Sequence, residues 1–308
     1  MPYRLRETPS DKATLPEIAD FMEYQCLKDE SKIYSVTSGV AAMGIATDDN
    51  SEPEDNNDCE INQLFYEALS EIENRKAHTN GKYPFNAERN IIKFDSTIND
   101  NVKIIYTFLL LATRENMSSK KIAAGIDGTA LFERLCAIVL QNFFGQKSQS
   151  LVFGTGSGVA ENFRNKVERL LNSLGEDGYT FRIPENNLNR EQDGKVDIVT
   201  FIPFCDRNKG QFLAFGQCKT GITWRNSITQ LRPDSFSKKY ISPAFFFTPI
   251  AVFMVCESFD ENWEATFRDT EGLLFDRERI MEYIPDNIDN DLLMQINQWN
   301  NAVMERDI

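Results

Sequence analysis

Histidine is almost absent from the chain, with His78 alone among 308 residues. Six cysteines stand at 26, 59, 136, 205, 218 and 256, and none forms a CxxC pair. Structural zinc sites need Cys and His at short spacing, and disulfide frameworks need dense cysteine in a small chain. The pattern supports neither, and reduced thiols in a cytoplasmic protein are expected. His78 lies in a polar stretch and reads as a surface residue. A run of about 18 apolar residues is also missing, so no transmembrane helix and no membrane association are expected. The start, Met1-Pro2-Tyr3-Arg4-Leu5-Arg6, has no apolar stretch of the kind a secretory leader carries. There is no internal repeat.

Basic charge is scarce as well. The net charge of −14 is at odds with a nucleic-acid partner. Its distribution is uneven, however. Residues 1–120 carry 13 basic and 21 acidic side chains, and residues 257–308 carry 4 and 14. Residues 121–256 carry 16 basic and 12 acidic side chains, so this segment alone suits phosphate. A bound divalent metal would neutralise further acids there.

What is present is a globular composition, 41% hydrophobic and 26% charged, long enough for one large domain or two ordinary ones. Residues 47–58, TDDNSEPEDNND, read as an exposed acidic loop without the EF-hand spacing for calcium. Ile61, Leu64, Phe65, Ala68, Leu69 and Ile72 recur at helical spacing, and 101–113 reads as a second, more buried helix. A mainly helical region over 1–120 is therefore expected, followed by an α/β domain over 121–308. In the latter the pattern predicts a helix at 129–144, a strand at 151–153, a glycine-rich turn at 154–158 and a helix at 159–174. Further strands are expected at 179–183, 196–202, 211–219 and 250–256. The last is a continuous apolar run suited to a central strand buried on both faces. Helices are expected at 273–284 and 292–303. This order makes a mixed sheet flanked by helices.

The chemistry concentrates at the strand Gln211 to Lys219. Side chains alternate along a strand, so Leu213, Phe215, Gln217 and Lys219 share a face, with two polar groups at its end. Asp197 is a single acid in the apolar strand Val196-Asp197-Ile198-Val199, after the turn signal Asp193-Gly194. An antiparallel hairpin of 196–202 and 211–219 would bring Asp197, Gln217 and Lys219 together. A solvated strand edge with a cross-strand ion pair is the plainer reading. Glu133 tips the balance. Its face of the helix carries Ala137, Leu140 and Phe144, so the carboxylate needs a buried cation or metal, unless it pairs locally with Arg134 or with solvent.

Taken together, Phe132-Glu133-Arg134-Leu135, Asp193-Gly194-Lys195-Val196-Asp197-Ile198-Val199, Gly216-Gln217-Cys218-Lys219-Thr220 and Phe275-Asp276-Arg277-Glu278-Arg279 resemble the PD-(D/E)xK nuclease superfamily. The nearest branch is that of the Mrr-like restriction endonucleases, and the resemblance covers about residues 127–284. It implies a restriction-endonuclease-like α/β core and Mg²⁺- or Mn²⁺-dependent hydrolysis of DNA phosphodiester bonds, as in bacterial restriction or anti-phage defence effectors. It implies that Asp197 binds the metal, with Gln217, the Cys218 carbonyl and Glu133 as further ligands, and that Lys219 orients the attacking water. Gln217 stands where the commoner pattern has an acid, a substitution that the Mrr-like branch shows. A partner protein such as an ATPase or sensor subunit, and a homo-oligomer, are compatible with it.

Trp224, Arg225, Arg232, Lys238 and Lys239 follow the strand and could line a DNA groove, or form an ordinary surface around one packed Trp. Phe245-Phe246-Phe247 reads as core. Phe153-Gly154-Thr155-Gly156-Ser157-Gly158 has GxGxG rather than GxGxxG spacing and reads as a flexible turn, with a nucleotide site as the sharper reading. The competing function is a degenerate nuclease fold that binds nucleic acid or protein without cutting.

Overall fold

The computed structural model describes residues 2–47, 55–154, 162–182, 194–259 and 263–306. A capping box starts the first helix, α1 (Leu15–Lys28), with the Thr14 N–H donating to Glu17 Oε2 at 3.0 Å. β1 (Ile33–Ser35), α2 (Val36–Thr47), α3 (Asp55–His78), β2 (Phe85–Glu88), β3 (Ile91–Phe94) and α4 (Asp100–Arg114) follow. The helices at 61–72 and 101–113 are those expected. The mainly helical reading missed an antiparallel sheet of order β1-β3-β2, whose strands of three or four residues are too short to show alternation.

A two-residue hairpin, β4 (Ile122–Ala123) and β5 (Ile126–Asp127), leads into α5 (Gly128–Phe144). Asp127 caps this helix by accepting from the Thr129 N–H at 2.9 Å, and Gly145 ends it at φ 95°. Then come β6 (Gln149–Val152), α6 (Phe163–Leu174), β7 (Thr180–Phe181), β8 (Ile198–Ile202) and β9 (Phe212–Lys219). They are followed by α7 (Pro233–Tyr240), β10 (Ile241–Ser242), β11 (Ile250–Val255), α8 (Trp263–Thr270), β12 (Leu273–Phe275), α9 (Arg277–Glu282) and α10 (Asn290–Glu305).

The main sheet is mixed, in the order β12-β11-β9-β8-β6. β9, β11 and β12 run parallel, and β8 is antiparallel to both β9 and β6. The expected hairpin is present, with Ile198 opposite Gly216 and Ile202 opposite Phe212. Alternation sorts its faces. Ile198, Ala214, Cys218, Val252 and Met254 pack with Leu135, Cys136 and Leu140 of α5. Val199, Phe201, Leu213 and Phe215 pack with Val167 and Leu170 of α6 and Phe236 and Tyr240 of α7. The result is three layers, with β11 held between β9 and β12 and buried from Val252 to Val255, while Ile250 at its start is exposed. Gly216 lets α5 approach closely, since a Cβ there would stand 3.2 Å from the Ile198 Cβ and 3.4 Å from Leu140.

Three expectations need correction. Residues 273–284 are not one helix. Leu273–Phe275 pairs in parallel with Val252–Met254, and Asp276 caps the short α9 by accepting from the Arg279 N–H at 3.0 Å. The edge of a parallel sheet satisfies those three backbones better than a helix whose run is broken by the cap. The strand at 179–183 is reduced to Thr180–Phe181, which pairs with β10 outside the main sheet, and Ile183 lies outside the described residues. Phe246 and Phe247 are 66% and 67% exposed rather than core, and Phe245 alone packs, against Tyr179 and Phe215.

The apolar core does not stop at residue 120. One cluster runs from Phe21, Phe65 and Leu109 to Leu140, Ile280 and Trp299. Beside it lies a fully buried ion network. Arg277 donates to Asp20 at 2.7 and 3.1 Å, Arg114 to Asp20 at 2.6 Å, and Arg75 to Asp20 and Glu23, each at 2.8 Å. Burial alone would raise the Asp20 carboxyl, but Arg277, Arg114 and Arg75 hold it well below the usual carboxylate range. Glu23, with fewer cations and Asp20 beside it, is pushed up by burial. Among the described residues, no helix is long and apolar enough to cross a membrane.

Candidate active site

β8 and β9 pair so that the start of one meets the end of the other, and this places Asp197 beside Cys218. The Asp197 N–H donates to the Gly216 carbonyl at 2.8 Å, and Asp197 Oδ2 accepts from the Cys218 N–H at 2.8 Å. The second carboxylate oxygen faces Gly154. The Phe153 and Gly154 N–H groups both donate to the Asp197 carbonyl, at 2.8 and 3.0 Å, which fixes the glycine against the acid.

Glu133 reaches the same point from α5. A Cβ on Gly154 would stand 2.6 Å from Glu133 Oε2 and 3.1 Å from Asp197 Oδ1. Two carboxylates from elements 64 positions apart in sequence therefore converge at one point, 7% and 8% exposed. Arg134 does not serve as the local partner weighed for Glu133. It turns away to Gln295 at 2.9 Å and Asp291 at 3.3 Å on α10.

Gln217 and Lys219 stand on the face of β9 that carries Leu213 and Phe215. Gln217 is wholly buried, and neither its amide oxygen nor its amide nitrogen has a hydrogen-bond partner among the described residues. A buried amide left unpaired costs about 1–3 kcal/mol, so a native chain that keeps one calls for an explanation. Lys219, at the strand end, is half-buried. Cys136 and Cys218 pack together in the core on the α5 side of the sheet, and burial pushes both thiols up.

The donor set suits a hard cation, since two carboxylates and an amide oxygen are all oxygen ligands. It is also lean: among the described residues, no group of three or more His, Cys, Asp or Glu is placed to hold a metal ion. Mg²⁺ normally keeps several waters in its shell, so a lean set is compatible with it.

The residues expected to grip DNA are dispersed in their roles. Trp224 is 1% exposed, with Nε1 donating to Glu257 Oε2 at 2.5 Å, so its ring offers no open face for base stacking. Arg225 lies over that ring, 4.3 Å from its centroid, and donates to the same oxygen at 3.0 Å. Arg232 pairs with Glu271 at 2.6 Å and Lys238 with Asp234 at 2.7 Å, both exposed pairs that cost little to exchange for phosphate. Lys239 lies over the Tyr240 ring. Of the glycine turn, Gly154 has the place just given, while Gly156, Gly158 and also Asp193 lie outside the described residues, as do residues 48–54 of the acidic loop. His78 is exposed, as expected.

Gly154 and Glu257 are the positions that reading the sequence did not assign. The signal for Gly154 was its place directly after a strand. For Glu257 it was an acid two residues beyond an apolar strand.

No family model matches the chain, and no curated protein matches it. Among solved structures it is similar to protein VC1899 from Vibrio cholerae, at 14% identity and a TM-score of 0.25. The likeness covers 94% of this chain and 56% of that one, so the chain spans little more than half of that protein's length. A likeness at this level carries no argument about fold or activity.

Proposed function

We propose that the protein is a metal-dependent endonuclease, of the restriction-endonuclease-like PD-(D/E)xK type, that hydrolyses phosphodiester bonds of DNA. By the same resemblance it would act as a bacterial restriction or defence effector. The observation that carries this reading is the convergence of Glu133 and Asp197 beside Gly154, at the end of the sheet where Gln217 and Lys219 share a face. A solvated edge with a simple ion pair would not bury two carboxylates together or leave an adjacent amide unbonded.

The chain's own groups have definite tasks in such a reaction. The Cys218 N–H holds Asp197 Oδ2, and Oδ1 faces Gly154. Glu133 supplies the second charged oxygen, and Gln217 a neutral one. Lys219 hydrogen-bonds the attacking water and places positive charge beside the phosphorane as it forms. Asp197, Glu133 and Gln217 would hold a divalent ion, which would supply a more acidic water and neutralise transition-state charge.

The second reading, a module that binds without cutting, is favoured by the neutral Gln217, which stands where the commoner pattern has an acid. Incubating plasmid DNA, linear DNA and RNA with wild type and Lys219→Ala, in Mg²⁺, Mn²⁺ or EDTA, separates the two. Metal-dependent cutting of DNA that disappears in the variant supports the nuclease. Calorimetry showing no Mg²⁺ or Mn²⁺ binding, together with intact nucleic acid throughout, overturns the nuclease, and a duplex that is bound but uncut under the same conditions supports the binding module.

A further inference from the structure

The carboxyl ends of parallel strands are where α/β sheets commonly bind ligands. At the ends of β9 and β11 lies a pocket of about 330 Å³. Ser10, Lys12, Thr14 and Glu17 of the N-terminal region form one wall, and Arg225 and Glu257 form the other. Val255 is the register partner of Lys219, so at most about 7 Å of chain separates Glu257 from the level of Lys219. The pocket therefore adjoins the candidate site.

Its lining charges balance, Lys12 and Arg225 against Glu17 and Glu257, but both carboxylates are already engaged. Glu17 is committed to the N–H groups of Tyr3 at 2.8 Å and Thr14 at 3.0 Å, and Glu257 to Trp224 and Arg225. Behind both stands Arg114, fully buried and 3.5 Å from each carboxylate. Its two terminal nitrogens have no hydrogen bond among the described residues. Arg114 is itself held by Asp20 at 2.6 Å, so what an incoming anion meets is the exposed Lys12 and Arg225, with the two terminal nitrogens of Arg114 behind them. The Arg225 guanidinium lies over the Trp224 ring, 4.3 Å from its centroid, while its side chain stays 42% exposed. A planar donor fixed in this way suits phosphate.

We propose that this pocket holds a backbone phosphate of the bound nucleic-acid strand, beside the phosphate that is cut, with Lys12 and Arg225 as its charged contacts. The inference rests on the nuclease reading above. It makes the first seventeen residues part of the substrate groove, although the region they begin is acidic overall.

Lys12 is the clean probe, because it is exposed and its substitution leaves the buried groups alone. The full chain and its Lys12→Glu, Lys12→Arg and Lys28→Glu variants are titrated against a fluorescent DNA duplex without divalent metal, between about 50 and 200 mM salt. Lys28 is exposed at the opposite end of α1 and controls for net charge. Lys12→Glu is expected to weaken binding about tenfold and to flatten the slope of log affinity against log salt by about one unit, whereas Lys12→Arg and Lys28→Glu keep the wild-type slope. A wild type that binds while Lys12→Glu matches it, or while Lys28→Glu loses as much, overturns the pocket and leaves the nuclease reading standing. A wild type that binds neither this duplex nor single-stranded DNA overturns both.

Discussion

Asp197 accepts the backbone N–H of Cys218 at 2.8 Å, across the end of an antiparallel hairpin. That bond replaces a ladder contact with a carboxylate, so the residue that closes the sheet also holds the acid in place. The site's geometry is therefore tied to the register of β8 and β9, and substitutions around it should separate position from charge.

Gly154→Ala tests position. The added methyl would lie 2.6 Å from Glu133 Oε2, closer than real contacts allow. Glu133 must move, and cleavage should fall about 10–100-fold through weaker metal binding. The melting temperature should change little, because the carboxylate rather than the core gives way. Cleavage kinetics as a function of Mg²⁺ concentration check this, and wild-type kinetics in the variant would remove Glu133 from the site.

Lys219→Ala tests charge. Removing one transition-state donor should lower the cleavage rate by about 10²–10³-fold while binding of the duplex persists. Loss of binding equal to the loss of rate would make Lys219 a grip on substrate instead.

Gln217→Leu separates function from stability. Deleting a buried amide that lacks partners should stabilise the protein without metal by about 1–3 kcal/mol, measured by urea denaturation. Cleavage should be lost at the same time. A destabilised Leu variant would mean that the amide has partners in solution.

Arg277→Ala tests the ion network that joins the two halves of the chain. It leaves Asp20 buried with one partner fewer and should cost about 3–5 kcal/mol in the same assay. A loss below about 1 kcal/mol would show that water enters the network.

A pH dependence is expected from Asp276. Burial pushes its carboxyl well above the usual range, and the neighbouring Glu278 pushes in the same direction. A raised folded-state value means that the native state holds a proton the unfolded chain releases. The stability this contributes is fully present below about pH 4, the unfolded value, and is lost as pH rises through the folded value. Asp276→Asn keeps a hydrogen-bond donor at every pH, so its stability should not show this decline. Parallel curves for the two proteins between pH 4 and about 8 would contradict it.

Much of this site was legible before any fold was known, because a strand's period of two is a local property. Leu213, Phe215, Gln217 and Lys219 had to share a face once 211–219 was a strand, and the turn signals around Asp197 suggested a hairpin. The α5 stripe likewise pointed Glu133 inward, with a local pair to Arg134 or solvent as the alternative. Other features depended on distant parts of the chain. Trp224 became a buried donor because Glu257 returns beside it. Leu273–Phe275 became a strand because β11 offered an open edge. Asp20 and Arg277, 257 positions apart, form an ion pair that no window of sequence contains. Periodicity and single-residue chemistry act over a few residues and can be read directly. Which carboxylate meets which cation, and which wall closes a pocket, depends on burial and on long-range packing, and only the folded chain decides them.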